Sequence, residues 1–145
     1  MISFYSEYPN WSVLHQKQLS VWLHQITQSH GYTIREMTYV FCDDTRIIAI
    51  NQQFLKHNYP TDIITFPYEY HPVHAEIYIS LDTLKRNAIS FKVPFHDEFL
   101  RVVAHGLLHM IGFNDKSDEE RKIMRYQEEQ TILLFKSLYP NIVFN

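Results

Sequence analysis

Between Phe95 and Ile111 the chain reads "FHDEFLRVVAHGLLHMI", apolar on nearly every side of a 3.6-residue repeat. That pattern predicts a central, buried helix rather than a surface one. Elsewhere the patterning is one-sided. Leu14, Leu19, Trp22, Leu23 and Ile26 form a stripe that predicts a helix from Trp11 to about Ser29, with Gly31 placed to stop it. "ISFY" and "TIREMTYVFC" carry the β-branched and aromatic content of strands. "DDT" then offers N-caps for a helix over "RIIAINQQFL", and Pro60 disfavours helical geometry at Tyr59. "IITF" and "AEIYIS" predict a third and fourth strand around a loop, "PYEYHPV". "LDTLKRNAI" predicts a short helix that Pro94 separates from the next, and Ser117 with Glu120 forms a capping-box pattern opening a last helix to about Leu138. The order β-α-β-α-β-β-α-α-α predicts an α+β fold: a mixed four-stranded sheet packed with about five helices, one domain over residues 1–145.

Composition narrows the class. Hydrophobic residues make up 46% and charged ones 20%, a globular balance. No apolar run approaches a membrane span, and the first residues lack the basic start and apolar run of a signal peptide. Together with the lone Cys42, a small apolar residue within a strand, this points to a reducing cytoplasm. A net charge of -3 argues against non-specific coating of nucleic acid. Locally the balance differs: Thr83 to His96 holds no acidic residue but does hold Lys85, Arg86 and Lys92, as a solvated helix face or an RNA contact would.

The buried helix ends in "HGLLHMIGFND". Residues four apart share a helical face, so His105 and His109 can address one ion. Gly112 can adopt a left-handed conformation and turn the chain, letting Asp115 return as a third ligand. Three protein ligands leave a fourth tetrahedral position open, as in catalytic zinc sites. With nine histidines in the chain the pair alone is weak evidence; two core histidines bonded to carbonyls are the alternative. The spacing matches the extended zinc-protease signature H-E-x-x-H-x-x-G-x-x-H, a zincin-like metal helix, at the ligand and glycine positions. Gly106 stands in place of the general-base glutamate, and Asp115 in place of the third histidine. Without that glutamate peptide hydrolysis loses its base, and the carboxylate lowers the site's charge by one unit. A metalloprotease is disfavoured.

The same stretch resembles the signature of the bacterial YbeY family, H-G-x-L-H-L-x-G-Y-D-H, which already carries the glycine. "INQQFLKHNYPTDIITFP" resembles that family's L-N-x-x-Y-R…P-T-D-V-L-S-F-P, "AEIYIS" its acidic residue on a strand, and "EERKIMRYQEEQ" its final helix. The resemblance runs from about Ile47 to Gln130. It implies a single-strand-specific metallo-endoribonuclease with one zinc ion per chain. The role implied is ribosomal RNA maturation, at the small-subunit 3′ end, and ribosome quality control, with single-stranded or ribosomal RNA and the ribosome or its proteins as partners.

By position His105, His109 and Asp115 become metal ligands, with Asp115 departing from the family's histidine. The family's arginine falls at Leu55, which cannot stabilise phosphate charge. Lys56, Arg101 and Lys116 are candidates to do so, in that order, and Asp62 and Glu76 are candidate bases or orienting carboxylates. Asn51 is expected to hold the loop. Tyr59, Phe66, Tyr68 and Tyr70 can stack on unpaired bases or simply pack. A second class stays open: a ribosome-associated RNA-binding factor with a structural ion and no hydrolytic activity.

Overall fold

The structure, a computed structural model, describes residues 1–57 and 61–145; the expectations for Tyr59 and Pro60 fall outside the described residues. The elements run β1 (Ile2–Ser6), α1 (Gln16–Ser29), β2 (Ile34–Cys42), α2 (Asp44–Leu55), β3 (Ile63–Tyr70), β4 (Val73–Ser80), α3 (Leu81–Phe91), α4 (Phe95–Met110) and α5 (Asp118–Leu138). The expected α+β class, four strands and five helices are all present. The sheet order is β1-β2-β4-β3, with β1, β2 and β4 parallel and β3 antiparallel at one edge.

Strand alternation assigns the two faces of the sheet. Along β4, Val73, Ala75, Ile77 and Ile79 are buried in the main core, while His74, Glu76 and Tyr78 point the other way. Met37, Tyr39 and Phe41 of β2 extend that core, and α1, α3, α4 and α5 close over it through Leu23, Leu84, Leu107 and Phe135. Helix α4 is central: Phe99, Leu100, Val102, Val103, Ala104, Leu107 and Leu108 have no exposed surface, as its all-round apolar pattern requires. The Tyr39 hydroxyl donates to the Val103 carbonyl at 2.8 Å, a bond made inside this core; burial pushes the phenol's pKa up. Among the described residues, only α2 covers the opposite face, through a small cluster of Cys42, Ile47, Ile50 and Ile64.

Two boundaries differ from expectation. Helix α1 begins at Gln16, because His15 takes a left-handed conformation at φ 55°. Trp11 is drawn instead against Phe41 and Phe99, and Leu14 stays exposed. Tertiary packing of one indole outweighs the helical stripe there. The segment expected as a loop, "PYEYHPV", is mostly strand: β3 continues to Tyr70 and only His71 and Pro72 turn the hairpin. Pro67 is tolerated because β3 is an edge strand and needs no N–H on its outer side.

Candidate metal centre

His105 and His109 lie one turn apart at the end of α4. Gly112 follows with φ 102°, a conformation costly for any residue with a Cβ, and the chain doubles back. Asp115 thereby returns to the histidines. Its Oδ2 lies 3.4 Å from His105 Nε2 and 3.3 Å from His109 Nε2, and the two Nε2 atoms are 2.9 Å apart. A tetrahedron with metal–donor bonds of about 2.0–2.1 Å has edges of about 3.3–3.4 Å. The three donors therefore form one face of such a tetrahedron, with the histidine pair slightly compressed. Two ring nitrogens this close have room for one proton or one ion between them, not for two protons. Burial, then the neighbouring His105, hold the His109 pKa below its ordinary value, against the opposing pull of Asp115. A neutral imidazole is the form that ligates. Side-chain exposure rises from 15% at His105 to 30% at His109 and 40% at Asp115, so the fourth position faces solvent. The donor set fits one divalent ion.

The structure adds a residue that motif reading missed. Glu128 of α5 accepts from His105 Nδ1 at 2.7 Å, which fixes the ring tautomer and leaves the Nε2 lone pair for an ion. The same carboxylate lies 3.3 Å from Arg101, which is also held by Glu98 through two short bonds and by Asp62 at 3.6 Å. A signal for Glu128 exists in the sequence. It falls within the buried stripe Met124, Glu128, Thr131, Phe135, and a carboxylate at a core position requires a partner.

The remaining candidates separate. Arg101 and Asp62 belong to the network behind the ligands, and three carboxylates hold the Arg101 guanidinium. Glu76 is a correction: it lies on the sheet face opposite α4, where the hydroxyls of Tyr68 and Tyr78 donate to it. Strand alternation turns it away, because Ile77 is the residue facing α4. Lys56 caps α2 in a left-handed conformation, and among the described residues no hydrogen bond or ion pair joins it to the ligands. Lys116 is exposed beside Asp115. Phe66 packs between Phe54 and Tyr78, Tyr68 sits against His74, and Tyr70 is exposed. Asn51 is buried, and its carbonyl receives the N–H groups of Lys56 and His57, so it does hold the start of the loop.

Gly106 explains the absent protease glutamate. A Cβ there would lie 2.9 Å from Ile77 Cδ1 and 3.0 Å from Ile63 Cδ1. The position faces the helix–sheet interface, where a glutamate has no room.

The family model described as endoribonuclease YbeY matches residues 5–136. This chain belongs to the YbeY family. The endoribonuclease YbeY of Phocaeicola vulgatus is 38% identical over 135 residues, spanning 92% of this chain and 98% of its own. That of Flavobacterium psychrophilum is 39% identical over 136 residues, spanning 93% and 96%. A protein from Thermotoga maritima with a solution structure superimposes with a TM-score of 0.69 at 26% identity, covering 97% of this chain and 92% of that one. Leu55 ends α2 half-exposed and carries no charge.

Proposed function

We propose that this protein is a metal-dependent endoribonuclease that cuts single-stranded RNA with one zinc ion per chain. It acts in the cytoplasm on ribosomal RNA, in maturation of the small-subunit 3′ end and in ribosome quality control. One observation carries the catalytic reading: three donors form a single tetrahedral face, oriented from behind by Glu128 and open to solvent in front. When bound there, a divalent ion supplies Lewis acidity toward a phosphoryl oxygen and lowers the pKa of a coordinated water. His105, His109 and Asp115 hold it, Glu128 keeps His105 in the ligating tautomer, and Arg101 balances the buried carboxylates. The free thiol of Cys42 is buried and fits a reducing compartment.

Incubating a labelled single-stranded RNA with the zinc-loaded protein tests this reading. Cleavage is expected, lost with chelator and lost in His109→Ala while circular dichroism stays native. A folded, zinc-loaded wild type that cuts no RNA refutes it. One observation favours a second reading, a non-hydrolytic ribosome-associated factor with a structural ion. Leu55 carries no charge, and Arg101 is already committed to Glu98, Glu128 and Asp62. Zinc-dependent RNA binding without cleavage would select that reading.

A further inference from the structure

A cavity of about 570 Å³ opens between α4, α5 and the α3–α4 corner, and His105 and Asp115 form part of its wall. The volume lies within the usual range of ligand pockets. Phe91, Val93, Met124 and Ile132 give it an apolar wall, and Phe91 is 57% exposed. Three arginines reach the groove. Arg101 is held by Glu98, Glu128 and Asp62, and Arg121 by Asp118 and the carbonyls of Asp115 and Lys116. Arg125 has no ion-pair partner among the described residues.

The acid-free stretch from Thr83 to His96 ends at the same groove. Of its basic side chains, Arg86 pairs with Asp44 and Lys85 lies over the Tyr8 ring. Lys92 is left exposed between two lining residues, Phe91 and Val93. The groove thus combines an exposed aromatic ring, apolar walls, and cations on α5 and at the α3–α4 corner with five carboxylates. Of these, Glu98 and Glu128 are paired with Arg101, Asp97 with Lys136, and Asp115 belongs to the candidate donor set, leaving Glu129.

We propose that this groove binds the unpaired nucleotides flanking the scissile bond. Phe91 stacks on a base, and Arg125 with Lys92 takes backbone phosphates. The inference rests on the endoribonuclease reading and assigns its substrate a path along α5. It places the charge missing at Leu55 on a different helix. Stacking on an aromatic ring needs an unpaired base, so the groove selects single strands. Glu129, also lining the groove and one turn beyond Arg125, opposes the phosphate.

Fluorescence anisotropy with a short labelled 2′-O-methyl oligouridylate, and with the same strand made abasic, tests the assignment on the zinc-loaded protein. Arg125→Ala is expected to weaken binding of both strands and to reduce the log–log salt slope by roughly 0.7. Phe91→Ala is expected to weaken the base-bearing strand by about tenfold and leave the abasic strand unchanged. Glu129→Gln is expected to tighten both. These side chains are exposed, so the variants fold. If wild type cleaves single-stranded RNA while all three variants bind like wild type, the groove is refuted and the nuclease stands. A duplex that binds as tightly as the single strand also overturns the groove. If wild type neither binds nor cleaves RNA, the endoribonuclease reading fails first.

Discussion

The carboxylate of Glu128 serves two donors at once, the His105 ring N–H and the Arg101 guanidinium, and its position behind His105 makes it the most informative single residue outside the three candidate donors. It is 5% exposed, so its charge is sustained by the Arg101 guanidinium and the His105 N–H. Glu128→Gln keeps a carbonyl oxygen for the His105 N–H but removes the charge; Glu128→Ala removes both. Zinc affinity, read by competition with a chromogenic chelator, is expected to fall about tenfold in the first and about a hundredfold in the second. Wild-type affinity in Glu128→Ala would show that His105 needs no support. The grouping of His105, His109 and Asp115 was legible in the sequence because local rules connect them: helical periodicity for the pair, a glycine turn for the aspartate. Glu128 was not, since it arrives from another helix 23 residues on. Glu76 misled because a strand motif does not state which face a residue takes until the neighbouring helix is known.

At the scale of elements, Gly106 sets how closely α4 approaches the sheet. Gly106→Ala gains about 1 kcal/mol of helix propensity but must displace the ends of Ile77 and Ile63, and overpacking costs about 1–3 kcal/mol. A small net loss in urea denaturation is expected, recovered by adding Ile77→Val. Gly106→Glu restores the protease signature yet is expected to unfold much of the protein and to digest no casein; a folded, proteolytic variant would refute this packing account. The other junction is electrostatic. Asp44 at the start of α2 accepts from Ser80, Thr83 and Arg86, joining α2 to β4 and α3. Burial alone would raise its pKa, but the hydrogen bonds from Arg86, Ser80 and Thr83 outweigh it and hold the pKa below 3.8. A depressed carboxyl pKa stabilises the fold above the unfolded value and is lost as pH falls through the folded one. Acid titration of stability is therefore expected to show a loss beginning near pH 3.8 that Asp44→Asn removes. Hydrophobic periodicity located nearly every element, and it failed where tertiary contacts compete with it. Trp11 left the helix for Phe41 and Phe99, and β3 lengthened because β4 offered it a partner.

Across the whole molecule, the sheet divides a thick core carrying four helices from a thin one carrying α2, and the ligands sit on the thick side where α4 and α5 meet. His105 and His109 come from α4, the supporting Glu128 from α5, and Asp115 from the turn between them. An ion bound there links two helices and their connection, so it binds the folded chain far better than the unfolded one. At 100 times the dissociation constant such binding stabilises by about 2.7 kcal/mol. For a chain of 145 residues each kcal/mol moves the midpoint by about 2–4 °C. Thermal unfolding followed by circular dichroism is thus expected to shift upward by about 5–11 °C on adding zinc to that excess, and to return with chelator. His109→Ala is expected to show almost none of the shift, and Phe91→Ala all of it, because the groove residue touches the strand and not the ion. A full zinc shift in His109→Ala would place the stabilising ion elsewhere on the molecule.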